Sequence, residues 1–154
     1  MDNDGFGLLE AASGNDRMTV RILVVDDHPV VRQGLRTLLG SRPEWEIIDE
    51  AEDGIEAVEK ADRLKPDVVL LDVGMPRMDG LEACRRIRKM VPNSEVLIVT
   101  QHDSPQMLRE AVSAGARGYV VKSDAARDLL AAVESVTLHK FFTAQKRGID
   151  GDSK

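Results

Sequence analysis

Cysteine and long apolar runs are both scarce in this chain. Its single cysteine, Cys84, cannot form an internal disulfide or a cysteine-based metal site, and it falls in an amphipathic helical pattern where it would pack as a small apolar residue. No apolar run approaches the roughly 18 residues that a membrane-spanning helix needs. The N-terminus is acidic and lacks a basic-led apolar core, which argues against a signal peptide. We therefore expect a cytoplasmic protein that does not insert into a membrane.

Positive charge is in the minority. The 154 residues include 21 Lys and Arg against 27 Asp and Glu, which gives a formal net charge of −6. A nucleic-acid-binding domain would show a basic patch or stripe, so we expect no direct binding of nucleic acid by this chain. The length and a hydrophobic content of 42% are ordinary for a globular protein with one domain.

Composition divides the chain into three parts. Residues 1–18 are rich in Gly, Asn and Asp and have one short apolar patch, a composition that predicts a flexible leader. Residues 140–154 turn polar and contain Gly, which predicts a flexible tail. The folded domain is therefore expected over residues 19–139.

Short apolar runs alternate with amphipathic helical patterns in this folded part. Runs of about four apolar residues without polar alternation predict strands that are buried on both faces, as in a parallel sheet. The alternation predicts right-handed βαβ units, an α/β fold in which helices cover both faces of a parallel five-stranded sheet. The second strand is more polar and is expected at an edge. The five strands are expected at residues 22–25, 45–51, 68–71, 96–99 and 118–121.

Polar side chains follow four of these strands. Asp26 and Asp27 follow the first strand, Asp72 the third, Thr100 the fourth and Lys122 the fifth. Because parallel strands end at the same edge of the sheet, where ligands bind in open α/β folds, we expect these groups to meet there. Each one alone has an ordinary structural explanation, such as a helix cap or a solvated lysine. All of them together favour a functional site.

The chemistry of this set is specific. Two or three carboxylates within about 4 Å of one another repel by roughly 4 kcal/mol per pair at an effective dielectric constant near 20, so they need a cation. Oxygen ligands at a partly open site suit Mg²⁺. With the metal bound, Asp72 can act as a nucleophile toward phosphorus and form an aspartyl phosphate. The Lys122 ammonium and the Thr100 hydroxyl would then stabilise the phosphoryl oxygens.

The same residues resemble a known family. Asp72 within Leu-Leu-Asp-Val-Gly-Met-Pro-Arg-Met-Asp-Gly, together with the acidic pair, Thr100 and the segment from Gly118-Tyr119 to Lys122, resembles the receiver domain of bacterial two-component response regulators. The resemblance covers about residues 20–138. Asp-Asp-His-Pro-Val-Val-Arg-Gln-Gly-Leu and Ala-Gly-Ala-Arg-Gly-Tyr-Val-Val-Lys-Ser are similar in particular to receivers of the LuxR-type NarL/FixJ branch.

The resemblance implies a CheY-like, flavodoxin-like (βα)5 three-layer sandwich with strand order 2-1-3-4-5. It implies that Asp72 accepts a phosphoryl group from a sensor histidine kinase or a phosphotransfer protein. It also implies that Asp26, Asp27, Asp72 and the backbone carbonyl of Gly74 hold Mg²⁺.

Three residues have roles in the switch that the resemblance implies. Thr100 and Lys122 would contact the phosphoryl group, and Tyr119 matches the aromatic residue whose rotamer follows Thr100 in the family. An ordinary strand aromatic packed on the last helix explains Tyr119 equally well. Phosphorylation would change binding to a downstream protein target, with a homodimer left open. The resemblance implies no enzyme beyond self-phosphotransfer and autodephosphorylation.

The sequence also departs from the family pattern. Gln101 stands where many receivers carry a small residue, Ser123 follows the lysine where many relatives carry Pro, and Gly74 offers no side chain to a hydrolytic water. LuxR-type regulators continue into a helix-turn-helix domain, whereas this sequence ends at Lys154. We expect a stand-alone receiver, with a receiver separated from a longer regulator as the alternative.

Three other functions were weighed. A pseudo-receiver, a binding module not controlled by phosphorylation, is suggested by Gln101. A small phosphatase with an Asp nucleophile would need a second acid two residues after Asp72, but Gly74 occupies that position. A flavin-binding flavodoxin is disfavoured because Asp26 and Asp27 would repel a phosphate after the first strand. His28, His102 and His139 are scattered, and we assign them no catalytic role.

Overall fold

A parallel sheet forms the centre of the fold. The computed structural model of the chain describes residues 19–143. The strands in this part of the chain are β1 (Val20–Val25), β2 (Trp45–Ala51), β3 (Val68–Leu71), β4 (Glu95–Thr100), β5 (Gly118–Val121) and β6 (Phe142–Thr143). They form one sheet in the order β2-β1-β3-β4-β5-β6, and all neighbouring strands are parallel.

The first five strands confirm the predicted α/β fold. Their order is the one that the family resemblance implied. Every residue of β3, β4 and β5 is buried, as expected for apolar runs covered on both faces. The more polar β2 lies at the edge of the sheet, also as expected.

Five α-helices connect the strands in the described part of the chain. They are α1 (Pro29–Leu39), α2 (Gly54–Leu64), α3 (Gly80–Met90), α4 (Pro105–Ser113) and α5 (Ala125–Thr137), and a short 3₁₀ helix (Lys122–Asp124) precedes α5. Ser104 accepts a hydrogen bond from the Met107 N–H at 3.1 Å, and Pro105 follows it, so α4 begins as its Ser-Pro sequence predicts. Asp53 and Asp79 cap α2 and α3 in the same way.

Helices cover both faces of the sheet and complete the predicted three layers. The face covered by α1 and α5 buries large aliphatic side chains, including Leu35, Leu39, Leu129, Val133 and Val136. The face covered by α2, α3 and α4 buries many small helical residues, including Ala57, Ala61, Ala83, Cys84 and Ala111. Small residues on the second face let these helices lie close to the sheet. Cys84 is a buried core residue, as expected.

The sixth strand is the main departure from the expected fold. The five-strand prediction assigned residues 140–154 to a flexible tail, but Phe142 and Thr143 pair in parallel with β5. The Phe142 N–H donates to the Arg117 carbonyl at 3.1 Å. His139, with φ of 61°, reverses the chain after α5 and makes this return to the sheet geometrically accessible.

Residues 1–18 and 144–154, which hold the predicted leader and most of the predicted tail, lie outside the described residues. Between residues 19 and 143, no helix combines the length and the apolar content that crossing a membrane requires.

Candidate functional site

Two neighbouring strands carry the acidic residues of the site. Asp26 and Asp27 directly follow β1, and Asp72 directly follows β3. The Asp72 N–H donates to the Val25 carbonyl at 3.0 Å, which holds the two strand ends side by side. Asp26 is 1% exposed and Asp72 is 5% exposed. The pairing of β1 with β3 therefore brings buried carboxylates together at the carboxyl edge of the sheet.

Lys122 bridges two of these carboxylates from the end of β5. Its Nζ lies 2.7 Å from Asp26 Oδ2 and 3.2 Å from Asp72 Oδ1. Burial and the charge of Asp26 raise the pKa of the Asp72 carboxyl, although Lys122 and the Val73 N–H oppose that shift. Burial lowers the pKa of Lys122, but the hydrogen bond to Asp26 and the two carboxylate charges outweigh it and raise this pKa overall. The ammonium therefore stays charged and compensates part of the buried negative charge.

A histidine completes the acidic cluster. Ligand atoms of Asp26, Asp27, His28 and Asp72 all lie within 4.8 Å of one another. His28 Nδ1 is 3.1 Å from Asp26 Oδ1 and 3.1 Å from Asp27 Oδ1. His28 was assigned no catalytic role from the sequence, although its place directly after the acidic pair and directly before α1 is a signal that could have pointed to it.

The cluster suits a hard divalent cation. Asp27 Oδ1 is buried and has no hydrogen-bond partner in the described part of the chain. His28 Nδ1 lies near this oxygen as well, but its hydrogen bond is with Asp26 Oδ1. An unpartnered buried carboxylate oxygen is costly unless something else compensates it. Carboxylate oxygens at a partly open position are the ligands that Mg²⁺ prefers, so the donor set fits this ion.

The loop after Asp72 is held by two glycines at helix starts. A Cβ atom on Gly80 would lie 1.9 Å from the Asp72 carbonyl oxygen, and one on Gly54 would lie 2.2 Å from the Met78 carbonyl oxygen. The Gly80 N–H donates to the Val73 carbonyl at 2.8 Å, and the Gly54 N–H donates to Met78 at 3.1 Å. Only glycine allows the backbone of α2 and α3 to approach the loop this closely.

Thr100 and Tyr119 are linked through one backbone segment. The Thr100 hydroxyl oxygen accepts a hydrogen bond from the His102 N–H at 3.2 Å, and the Tyr119 hydroxyl donates to the His102 carbonyl. Thr100 and Tyr119 are both buried. Burial raises the pKa of the Tyr119 phenol above its ordinary value. The backbone of His102 therefore connects the end of β4 to a side chain of β5.

A small cavity opens at the centre of these groups. Its volume is about 40 Å³. The side chains or backbone around it belong to His28, Asp72, Gly74, Thr100, Gln101, His102 and Lys122. Gln101 and Gly74, two of the residues that depart from the family pattern, line this cavity.

The structure brings together the site residues that the sequence analysis named. Asp26, Asp27, Asp72, Thr100 and Lys122 lie at one edge of the sheet, as the strand ends predicted. Gly74 lines the cavity, and Tyr119 packs in the core behind it. Their chemical roles stay predictions at this point.

Comparison with known proteins gives consistent matches. A family model described as a response regulator receiver domain matches residues 22–134. The DNA-binding transcriptional activator DevR/DosR of Mycobacterium tuberculosis is 41% identical over 117 residues, which cover 76% of this chain and 54% of that protein. The transcriptional regulatory protein DegU of Brevibacillus brevis is 36% identical over 117 residues, which cover 76% of this chain and 50% of DegU.

A solved structure extends the similarity to three dimensions. A two-component response regulator of the LuxR family from Aurantimonas sp. SI85-9A1 has a TM-score of 0.77 and 38% identity, covering 80% of this chain and 89% of that chain. This chain spans about half the length of the curated relatives that it matches.

Proposed function

The chain belongs to the response regulator receiver domain family, and we propose that Asp72 is the residue on which this two-component receiver accepts its phosphoryl group. The similarity to DegU, DevR/DosR and a LuxR-family regulator confirms the resemblance that the motifs indicated. One observation carries the proposal for Asp72. This carboxylate lines the small cavity together with an ammonium, from Lys122, and a hydroxyl, from Thr100.

These groups suit phosphoryl transfer. An Asp72 oxygen attacks the phosphorus of the donor, a P–O bond forms, and the bond from phosphorus to the donor's leaving atom breaks; the leaving group then takes up a proton from solvent. Lys122, 3.2 Å from Asp72, compensates the negative charge of the phosphoryl oxygens. The Thr100 hydroxyl is a donor on the same cavity. Because the carboxylate is the nucleophile, the Lys122 charge also favours the reactive form of Asp72.

Mg²⁺ is the cation that we propose for this site. Asp26, Asp27, Asp72 and the backbone carbonyl of Gly74 would hold it. When bound, the ion neutralises charge on the transferring phosphoryl group. Two observations support this ion: Asp27 Oδ1 is buried without a hydrogen-bond partner among the described residues, and ligand atoms of Asp26, Asp27 and Asp72 lie within 4.8 Å of one another.

Phosphorylation would act as a switch. A phosphoryl group adds about −1.5 to −2 charge, which attracts the Thr100 hydroxyl and the Lys122 ammonium. His102 joins Thr100 to Tyr119, which is buried on the face of the sheet that α2, α3 and α4 cover, so displacement of Thr100 would change the packing of β5 on that face. A coupling of roughly 1–3 kcal/mol between two conformations is enough to change partner affinity about 5- to 150-fold.

The partners follow from this chemistry as proposals. The donor would be a sensor histidine kinase or a phosphotransfer protein, and the reader would be a downstream protein target or a second copy of the chain. DNA binding is stated for DevR/DosR, of which this chain covers 54%. We propose that the described fold itself binds protein partners and does not turn over a separate substrate.

A mass measurement tests the acceptor. The purified chain is incubated with acetyl phosphate and Mg²⁺ and weighed intact. We expect the mass of one added phosphoryl group in the wild type and none in Asp72→Asn. Asp62→Asn is the matched control, because Asp62 is an exposed carboxylate on α2 that pairs with Lys65.

Two results would contradict the proposal. One is a folded wild type that gains no phosphoryl group, together with partner binding that Asp72→Asn leaves unchanged; this would favour a binding module not controlled by phosphorylation. The other is steady turnover of p-nitrophenyl phosphate that Asp72→Ala abolishes, which would favour a phosphatase.

A further inference from the structure

Arg32 connects α1 to the acidic end of β1. Its Nη1 donates to the backbone carbonyl of Asp26 at 2.6 Å, and its Nε donates to Glu50 Oε1 at 2.8 Å. The side chain is only 12% exposed. Arg32 ends the segment Asp-Asp-His-Pro-Val-Val-Arg. The proposed phosphoryl transfer gives a role to Asp26 and Asp27 of this segment but none to Arg32.

The carbonyl that Arg32 binds is part of the peptide bond between Asp26 and Asp27. A peptide unit is planar, so fixing the direction of this carbonyl also fixes the N–H and Cα of Asp27. The sheet holds the other side of Asp26, whose N–H donates to the Ala51 carbonyl at 3.1 Å. The sheet and Arg32 together therefore hold the backbone that carries the two carboxylates.

Glu50 fixes Arg32 to the sheet. It lies in β2, opposite Val24 of β1. Its backbone carbonyl accepts a hydrogen bond from Lys60 Nζ at 2.5 Å. Arg36, one turn further along α1, donates to the same Glu50 carboxylate. Among the described residues, Arg36 makes no hydrogen bond to Asp26.

We propose that Arg32 is a positioning residue for the divalent cation: it holds the Asp26–Asp27 peptide in the orientation that directs both carboxylates toward Asp72. Arginine suits this task because its rigid, planar guanidinium offers one donor to each partner at a fixed spacing, whereas lysine offers a compact ammonium. The inference rests on the proposed cation site and deepens it. Cation affinity would depend on a positive side chain that cannot itself be a ligand.

Direct binding of Mg²⁺ tests this role without any phosphodonor. Isothermal titration calorimetry on the purified chain compares the wild type with Arg32→Gln, Arg32→Lys and Arg36→Gln. We expect Arg32→Gln to weaken Mg²⁺ binding about 10- to 100-fold, the range seen when groups that orient metal ligands are removed. Arg36→Gln also loses a contact with Glu50, but it should stay within about twofold of the wild type because its ion pair is half-exposed.

Labelling by acetyl phosphate over a series of Mg²⁺ concentrations separates positioning from a general loss of structure. Arg32→Gln should require more Mg²⁺ for half-maximal labelling and still reach the wild-type plateau. A variant whose fold had merely weakened would show a lower plateau at every concentration.

Several outcomes would overturn the inference. The first is an Arg32→Gln variant that binds Mg²⁺ as tightly as the wild type. The second is an Arg36→Gln variant whose Mg²⁺ affinity falls as much as that of Arg32→Gln. The third is a wild type that binds no Mg²⁺. Arg32→Lys covers the case in which Arg32→Gln does not fold, because lysine keeps the charge and can make one of the two hydrogen bonds. The Mg²⁺ affinity of Arg32→Lys should fall between those of the wild type and Arg32→Gln. Wild-type Mg²⁺ affinity in Arg32→Lys would contradict the proposal.

Failure of the proposed function has a different signature. A wild type that binds Mg²⁺ but takes no phosphoryl group would contradict Asp72 as acceptor. The comparison of Arg32 and Arg36 variants would still be decided by Mg²⁺ binding alone.

Discussion

The Lys122 ammonium lies 2.7 Å from Asp26 Oδ2, and this ion pair joins the ends of β5 and β1, two strands that are not neighbours in the sheet. β3 and β4 lie between them, so the lysine side chain reaches across the edge where Asp72 and Thr100 emerge. Because Asp26 is almost fully buried, its charge needs a partner in the absence of a metal. We therefore expect Lys122 to stabilise the fold, in addition to the role that we propose for it in phosphoryl transfer.

Replacement of Lys122 by Met should destabilise the protein and make its stability depend on Mg²⁺. We expect a loss of about 2–4 kcal/mol in the free energy of unfolding, because Asp26 and Asp72 lose the charge that compensates them. A divalent cation can supply that charge, so Mg²⁺ should restore part of the loss. Urea unfolding with and without Mg²⁺ measures both effects.

Lys60→Met is the matched control for this prediction. Lys60 also pairs with two carboxylates, Asp49 at 3.3 Å and Glu56 at 3.0 Å, but both are partly exposed and neither belongs to the acidic cluster. Its loss should cost about 1 kcal/mol or less, and Mg²⁺ should not reduce this difference from the wild type, because no carboxylate of the cluster loses its partner. Equal losses in the two variants, or no recovery of Lys122→Met with Mg²⁺, would count against a charge-compensating role.

Asp72→Asn should stabilise the protein at neutral pH when no divalent cation is present. The pKa of Asp72 in the fold lies above its ordinary value of 3.8, mainly because of burial and the charge of Asp26. A group with a raised pKa favours the fold while it is protonated, and that contribution is lost as the pH rises through the folded pKa. At pH 7 the ionised Asp72 therefore opposes folding, and its replacement should add about 0.5–2 kcal/mol.

The pH dependence checks the sign of this effect. The difference in unfolding free energy between Asp72→Asn and the wild type should shrink as the pH falls through the raised pKa of the folded state, and it should vanish below 3.8, where both states of the wild type bind the proton. Mg²⁺ should reduce the difference at pH 7, since it stabilises the wild type more than the variant. A variant less stable than the wild type at pH 7 without a cation would show that the pairing with Lys122 outweighs burial.

Much of the site could be predicted from the sequence because it follows a one-dimensional pattern. Asp72, Thr100 and Lys122 each follow an apolar run, and parallel strands end at a shared edge. No knowledge of contacts is needed to expect that these residues meet. The apolar runs predict which residues form each strand, but they do not predict the order of the strands in the sheet. The family resemblance implied that order.

Other features depend on contacts between different elements of the fold, which no local sequence pattern encodes. His28 contacts the acidic pair only because α1 begins at Pro29 and turns the ring back over the edge. The contact between Arg32 and Glu50 joins residues 18 positions apart and needs α1 to pack beside β2. β6 has two residues, too few to show a strand period, and so the predicted sheet lacked it.

Gly80→Ala should disturb the loop that carries Asp72. The added methyl would lie 1.9 Å from the Asp72 carbonyl oxygen and 2.8 Å from the Val73 Cα, both of which are backbone atoms that cannot rotate away. We expect a loss of about 1–3 kcal/mol in unfolding free energy and slower labelling by acetyl phosphate, because Asp72 must shift.

Gly74→Ala is the control from the same loop. A Cβ atom there would meet no heavy atom within 4 Å, so stability should change by about 0.5 kcal/mol or less. Urea unfolding compares the stability of the two variants. If Gly80→Ala matched Gly74→Ala in stability, the close approach of α3 to the Asp72 carbonyl would not be a constraint on the fold.

Glu95 forms a second buried ionic centre, at the opposite edge of the sheet from Asp72. Its Oε1 lies 3.3 Å from both Arg88 Nη1 and Arg117 Nε, and its Oε2 lies 2.5 Å from His139 Nδ1. Burial raises the pKa of Glu95, but the hydrogen bonds to His139 and Arg117 and the charges of the two arginines outweigh it, so the pKa falls below its ordinary value of 4.5. The carboxylate thus joins α3, the loop before β5 and the segment that leads to β6.

Glu95→Gln should destabilise the protein in a pH-dependent way. A group whose pKa is lowered in the fold stabilises it above the unfolded pKa, and that contribution is lost as the pH falls through the folded pKa. We expect a loss of about 1–3 kcal/mol at pH 7, as for removal of a charged hydrogen-bond partner, and a shrinking difference from the wild type below pH 4.5. Glu59→Gln, at an exposed position of α2, should change stability by about 0.5 kcal/mol or less at every pH. A constant difference between Glu95→Gln and the wild type from pH 7 to pH 3 would mean that packing, and not the carboxylate charge, accounts for the loss.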